Sequence, residues 1–142
     1  MKLLVLNGPN LNMLGIREPD LYGRETYASL IIKIKDYALK RGFELEYYQS
    51  NHEGELVDKI QEAFFHDFDG IVFNPGAYTH TSIALYDALK AVKIPCVEVH
   101  ITNPDEREPF RRVSYIRPAC IATIAGHGTQ GYLEAIDLLL DR

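Results

Sequence analysis

Tyrosine and arginine side chains near the start of the chain could together remove a proton from a ligand. Tyr22 has Arg17 five residues before it and Arg24 two residues after it. A tyrosine has an unperturbed pKa of about 10, so it acts as a base near neutral pH only where positive charge stabilises the phenolate. Arginine supplies such charge. The grouping indicates a tyrosine base, although the same side chain could simply pack a loop against the body of the protein.

A histidine and a glutamate farther along the chain could supply a proton. Glu98 and His100 are two residues apart at the end of an apolar run that is typical of a strand, so their side chains should point to the same side. A carboxylate so placed fixes the tautomer of a histidine and raises its pKa, which favours proton donation. His80 follows the preceding predicted strand, and two histidines at matching strand ends favour a chemical role over a purely structural one.

The apolar pattern alternates between the periods of strands and helices, which predicts the elements that position these residues. Strands are predicted at 3–6, 43–48, 70–73, 94–99 and 119–125, and helices at 27–38, 56–64, 83–91 and 131–140. Thr26 is a suitable N-cap for the first helix, and Gly42 a suitable end. The alternation predicts one domain over 1–142, a flavodoxin-like three-layer α/β sandwich with a five-stranded parallel sheet.

Ligands of open parallel sheets bind beyond the carboxyl ends of the strands, which directs attention to the loops after the first, third and fourth strands. The first of these loops extends to about residue 25, well beyond the usual two to six residues. We predict a mobile lid over about 15–25 that carries Arg17 and Tyr22, with Gly15 and Gly23 as hinges.

Composition excludes several classes of partner. The chain has 142 residues and a net charge of -5, and no Lys or Arg cluster exceeds a pair, so we expect no nucleic-acid binding. The apolar run at the start is far shorter than the ~18 residues of a membrane span, so we expect no membrane association. Cys96 and Cys120 lie in apolar runs without CxxC spacing and are predicted to be reduced core residues of a cytoplasmic protein.

Cofactor chemistry is not indicated by the residues. The histidines and cysteines lack zinc-ligand spacing, so no metal is expected, and all seven lysines fall outside the three loops, which argues against a Schiff base. The first loop has neither of the common phosphate-binding glycine patterns, and Pro9 removes a backbone donor from it. A non-catalytic flavodoxin-like module that binds phosphate or a nucleotide is nevertheless the alternative.

Polar residues in the loops indicate an anionic, oxygen-rich small ligand. Arg111 and Arg112 could bind a carboxylate or hydroxyl groups, and the backbone N–H groups at Thr102 and Asn103 could cradle an anion. Asn7, Asn10 and Asn12 lie at the end of the first strand and in the loop after it, and their side chains offer further hydrogen-bond donors and acceptors. The alternative is that these asparagines only form turns.

Several segments, in order, resemble those of the type II 3-dehydroquinate dehydratases, the cofactor-free dehydroquinases of the shikimate route. They are NGPNLNMLGIREPDLYG, SNHEGELVDKI, FNPGAYTHTS, EVHITN, EPFRR and GHGTQGY, and they span essentially the whole chain. The resemblance implies dehydration of 3-dehydroquinate through an enolate, with no cofactor, in a dodecamer built as a tetramer of trimers.

By the same resemblance, each candidate residue acquires a role. Tyr22 is the base, Arg17 lowers its pKa, and His100 protonates the departing hydroxyl while Glu98 holds it. Asn12 positions a water or the enolate oxygen. The residues implied to bind substrate are Asn10, Asn74, His80, Asp87, Ile101, Thr102 and Arg111, with Asp87 reaching a neighbouring subunit's site. Thr102 stands where many relatives carry Ser, which keeps the hydroxyl and adds a methyl group.

Overall fold

The computed structural model describes residues 1–16, 18, 20 and 25–142. Five strands form one parallel sheet in the order β2-β1-β3-β4-β5. Their bounds are Lys2–Asn7 (β1), Glu44–Gln49 (β2), Gly70–Asn74 (β3), Cys96–His100 (β4) and Ala122–Ala125 (β5). The predicted five-stranded parallel sheet is confirmed, and the carboxyl ends of β1, β3 and β4 lie side by side.

Four helices of the described chain cover the two faces of the sheet. They are α1 (Tyr27–Arg41), α2 (Glu53–Phe65), α3 (Ile83–Val92) and α4 (Gln130–Leu140). Helices α1 and α4 pack on one face, and α2 and α3 on the other. Successive residues of β1 alternate between these two cores, with Leu3 and Val5 in one and Leu4 and Leu6 in the other. The period of two along a strand therefore explains its continuous apolar sequence.

The ends of helix α1 follow from its sequence. The Thr26 side chain accepts a hydrogen bond from the Ser29 backbone N–H, and the Ser29 hydroxyl accepts one from the Thr26 N–H, which together form a capping box. Gly42 ends the helix with φ of 73°, a left-handed conformation that glycine adopts without steric cost. Both predicted caps are confirmed.

Two predicted strands begin two and three residues later than expected. The predicted strand 94–99 starts at Cys96 and runs to His100, and the predicted strand 119–125 starts at Ala122. Pro95 lies within the first predicted strand and carries no backbone N–H, so it cannot donate to a strand ladder. Residues Arg117–Ala119 instead form a 3₁₀ turn that leads into β5.

The loops after β1 and β3 touch through their backbones at the carboxyl edge of the sheet. The Gly8 N–H donates to the Asn74 carbonyl over 2.8 Å. A Cβ atom at Gly8 would lie 2.4 Å from the Pro75 carbonyl oxygen, and one at Gly76 would lie 2.9 Å from the Pro9 oxygen. Only residues without a side chain permit this approach, so the two glycines set the distance between the loops.

We expect the substitution Gly8→Ala to destabilise the protein by about 1–3 kcal/mol, because the added methyl group must push the two loops apart. Displacement of the loops by about 1 Å should also lower any activity of the site between them by about 100-fold. Denaturant unfolding and steady-state kinetics measure the two effects. Gly54→Ala is the matched control, since Gly54 lies in α2 and no atom lies within 4 Å of a Cβ added there. The free energy of unfolding of this variant should rise by about 0.5–1 kcal/mol. Equal behaviour of the two variants would refute the close-approach argument.

None of the helices in the described ranges combines the length and the apolar character that crossing a membrane requires. Most of the predicted lid, including Arg17 and Tyr22, lies outside the described residues.

Candidate active site

A cavity of about 280 Å³ opens at the carboxyl edge of the sheet, between the loops after β1, β3 and β4. Seven of the predicted site residues line it, and they are Asn10, Asn74, His80, His100, Ile101, Thr102 and Arg111. The rule that ligands of parallel sheets bind beyond the strand ends therefore located the cavity correctly.

The imidazole of His100 is held at the end of β4 by Glu98. His100 Nε2 lies 2.5 Å from Glu98 Oε2, and both residues are buried. An ionised carboxylate can only accept a hydrogen bond, so Nε2 carries a hydrogen and the ring tautomer is fixed. The predicted same-side placement of these residues is observed; His100 lines the cavity, and Glu98 is buried beside it.

Hydroxyl groups surround the Glu98 carboxylate on the sides that His100 leaves open. The Thr79 hydroxyl donates to Oε2 over 2.5 Å, and the Ser114 hydroxyl lies 3.0 Å from Oε2 and 3.2 Å from Oε1. Burial acts to raise the pKa of Glu98, but the hydrogen bonds and charge of His100, together with Thr79 and Ser114, hold that pKa below its usual value. Glu98 is therefore ionised at neutral pH and accepts the hydrogen bond from His100 Nε2.

His80 is oriented by the segment that follows the β4 loop. Its Nδ1 lies 2.7 Å from the Val113 carbonyl oxygen, which can only accept, so Nδ1 donates. The Tyr115 N–H in turn donates to the Thr79 carbonyl over 2.8 Å. These contacts fix His80 at the cavity and bring Ser114 beside Glu98.

Arg111 extends a guanidinium group to the cavity from the 3₁₀ helix Pro109–Arg112. Its Nε donates to Glu108 Oε2 over 2.6 Å, and its Cζ lies 5.1 Å from the centre of the Phe110 ring. The backbone N–H of Glu108 and the side chain of Arg111 both lower the pKa of the Glu108 carboxyl. Because this pair uses Nε, the terminal nitrogens of Arg111 remain for an anionic ligand.

Three predicted site residues in the described part of the chain do not line the cavity. Asn12 is exposed, and its Oδ1 lies 3.4 Å from Gln49 Nε2. Asp87 is exposed on helix α3, and Glu98 is buried beside His100.

Several residues at or behind the cavity were not identified from the sequence. Arg107 lines it and adds a second guanidinium group, and its position within the β4 loop was a signal that could have been used. Thr79 and Ser114 contact Glu98 from segments 19 and 16 residues away along the chain. No spacing rule relates such positions, so only the folded chain brings these hydroxyls together.

Tyrosines Tyr27 and Tyr132 lie near the carboxyl ends of the strands but are poor candidates for a base. Burial raises the pKa of Tyr132, although the Asn74 side chain acts in the opposite direction. Burial also raises the pKa of Tyr27, against a smaller opposing effect of the Asn7 side chain. Both phenols are therefore protonated at neutral pH. Among the residues described by the structure, no group of three or more His, Cys, Asp or Glu is placed to hold a metal ion.

Fold and cavity together define a protein with an open parallel α/β sheet and a cavity suited to acid–base chemistry, lined by a carboxylate-supported histidine and by the arginines Arg107 and Arg111. A family model described as "Dehydroquinase class II" matches residues 1–140. The "3-dehydroquinate dehydratase" of Caldicellulosiruptor bescii is 53% identical over 135 residues, which cover 95% of this chain and 93% of that one. The "3-dehydroquinate dehydratase" of Clostridium perfringens (strain ATCC 13124) is 51% identical over 142 residues, which cover 100% of this chain and 99% of that protein.

Solved structures agree with these matches. The type II dehydroquinase of Butyrivibrio crossotus superposes with a TM-score of 0.98 at 55% identity, covering 99% of this chain and 97% of that one. The type II dehydroquinase of Propionibacterium acnes gives a TM-score of 0.93 at 40% identity over the same shares of the two chains. This chain belongs to the class II dehydroquinase family, which confirms the resemblance found in its sequence.

Proposed function

We propose that the protein is a hydro-lyase that converts 3-dehydroquinate to 3-dehydroshikimate in the shikimate pathway. The observation that carries this assignment is the His100–Glu98 pair at a cavity with Arg111 and Asn74, in a chain of the class II dehydroquinase family. A binding module for phosphate or a nucleotide is not favoured, because it would have no use for a carboxylate-supported histidine.

The reaction begins with removal of a proton from the carbon next to the substrate ketone. In our proposal Tyr22 accepts this proton as a phenolate, and Arg17 lowers its pKa and stabilises the developing negative charge. The electron pair of the broken C–H bond forms an enolate. Asn12 positions a water molecule or the enolate oxygen, and Asn10 nearby contributes to substrate binding.

The second step expels the hydroxyl group beta to the ketone. The enolate electron pair forms the new carbon–carbon double bond as the C–O bond breaks, and His100 gives its proton to the departing oxygen, so water leaves. Glu98 stabilises the imidazolium that supplies this proton. Tyr22 gains one proton and His100 loses one, so the protein is restored when Tyr22 releases a proton to solvent and His100 takes one up. No cofactor or metal takes part in these steps.

Substrate binding falls to the polar groups around the cavity. The substrate carries a carboxylate, which suits the free guanidinium nitrogens of Arg111 and the backbone N–H groups at Ile101 and Thr102. Asn74 and His80 are suited to the ring hydroxyls. Asp87 is proposed to contact the substrate in a neighbouring subunit.

Purified protein mixed with 3-dehydroquinate tests the assignment directly. The conjugated product absorbs in the ultraviolet, and we expect its absorbance to rise without any added cofactor and to be unaffected by a chelator. No product under these conditions would refute the proposal. Inactivation by borohydride only in the presence of substrate would instead indicate an imine mechanism.

We further propose that the enzyme assembles as a dodecamer of four trimers and works in the cytoplasm. Large apolar side chains are exposed on the described chain, such as Phe110 at 66% and Leu39 at 84%, and assembly would cover such surface. Cys96 and Cys120 are free thiols, as suits a reducing compartment. Light scattering should give about twelve times the 16.2 kDa chain mass. A monomeric mass would refute the assembly.

A further inference from the structure

A wholly buried tyrosine of helix α4 links the ends of strands β1 and β3, the second of which reaches the cavity. Tyr132 has no exposed surface, and its hydroxyl lies between Asn7 at the end of β1 and Asn74 at the end of β3. Asn7 and Asn74 are register partners in the parallel sheet. The mechanism proposed above assigns no role to Tyr132 or Asn7.

The hydrogen bonds of this cluster determine which way the Asn74 amide faces. The Gly76 backbone N–H, which can only donate, lies 3.1 Å from Asn74 Oδ1. Asn74 Nδ2 therefore faces the other way and donates to the Tyr132 hydroxyl over 2.9 Å. One Nδ2 hydrogen is used in this bond, so the second is left for an acceptor oxygen in the cavity that Asn74 lines.

The direction of the Tyr132 hydroxyl follows in turn. Because its oxygen accepts from Asn74, its single hydrogen is directed to Asn7 Oδ1, 2.6 Å away. Among the described residues, Asn7 Nδ2 is buried without a hydrogen bond of normal geometry, and the same side chain lies near the Tyr27 phenol. The described contact of the Asn7 oxygen is the one to Tyr132.

We propose that Tyr132 is a positioning residue that, anchored by Asn7, holds the Asn74 carboxamide so that its free N–H faces a substrate hydroxyl. The proposal rests on the function proposed above. It gives a role to Tyr132, the last residue of the GHGTQGY segment. A hydroxyl bridge suits this task better than a direct contact, since it fixes the orientation of both amides and leaves neither free to rotate by 180°.

The test is the KM for 3-dehydroquinate of the Tyr132→Phe variant. We expect KM to rise about tenfold and kcat to change less than about twofold, because an Asn74 amide held only by the Gly76 N–H is less well oriented, which weakens ground-state and transition-state binding alike. Tyr37→Phe is the matched control. It also removes a phenol hydrogen bond to a side chain of α4, that of Asp137 at 2.5 Å, but neither residue lines the cavity. Its kinetics should match those of the wild type.

A double variant separates positioning from a general loss of stability. Tyr132→Phe should add less than about twofold to the KM of Asn74→Ala, because the residue through which Tyr132 acts is already absent. Multiplicative effects of the two substitutions, or an unchanged KM in Tyr132→Phe, would overturn the proposal. Asn7→Leu provides a second route, as it removes the anchor of Tyr132 and should raise KM in the same direction even if Tyr132→Phe does not fold.

A crystal structure of Tyr132→Phe gives a readout that does not depend on turnover. We expect the Asn74 side chain to adopt a different rotamer or to lose defined density in that variant. An Asn74 side chain unchanged from the wild type would overturn the positioning role whatever the enzyme catalyses. Absence of product from the wild-type protein would instead count against the proposed function, so the two failures can be told apart.

Discussion

Replacement of His100 by alanine should lower kcat by about 10²–10⁴-fold, the usual contribution of a positioned general acid. The substrate hydroxyl would then leave as hydroxide instead of water. KM should change less than about threefold, because the proton transfer assists the transition state and contributes little to substrate binding. Steady-state measurement of kcat and KM by product absorbance checks the prediction.

The fold should survive this substitution, since Glu98 keeps its hydrogen bonds from Thr79 and Ser114. His127→Ala is the matched control: His127 is exposed, pairs with Glu134 and does not line the cavity, so activity should be unchanged. Added imidazole should restore part of the activity of His100→Ala by entering the vacated space. Retention of kcat within tenfold of the wild type would mean that another group protonates the leaving hydroxyl.

Replacement of Tyr22 by phenylalanine should lower kcat by about 10³-fold or more, the upper range for loss of a general base, because only the phenol oxygen that accepts the proton is removed. Neither Tyr27 nor Tyr132 can replace it, since burial raises the pKa of both. Substrate affinity should remain close to that of the wild type, which titration calorimetry with 3-dehydroquinate can measure on this slow variant.

Tyr47→Phe is the control for loss of a phenol oxygen, since Tyr47 is 39% exposed on edge strand β2 and does not line the cavity. Its kcat should equal that of the wild type. Substantial residual activity in Tyr22→Phe would show that the base lies elsewhere, and a large loss of substrate affinity would assign Tyr22 to binding instead.

Much of the fold was predictable because the relevant signals are local. The Thr26 cap and the Gly42 end of α1 depend on residues within a few positions of each other, and the predicted pairing of Glu98 with His100 depends only on the two-residue period of a strand. The start of β4 was predicted too early because its apolar run includes a proline that cannot donate to a ladder, and the start of β5 because a 3₁₀ turn occupies Arg117–Ala119.

The remaining site residues depend on contacts between distant segments. Glu98 is surrounded by hydroxyls from Thr79 and Ser114, whose positions follow from the way the β3 loop meets the 113–115 segment. Asn74 is held by a tyrosine 58 residues later in the chain. Neither residue type nor spacing indicates such partners.

The sequence by itself determined the alternation of strands and helices, the edge of the sheet that carries the chemistry and the histidine–carboxylate pair, because backbone geometry repeats these relations every two to four residues. Only the tertiary structure decided how the carboxylate of Glu98 stays ionised while buried and how Tyr132 reaches Asn7 across 125 residues of chain. Those outcomes depend on how helix α4 and the loops dock on the sheet, which is decided by the packing of the whole core and not by any local period.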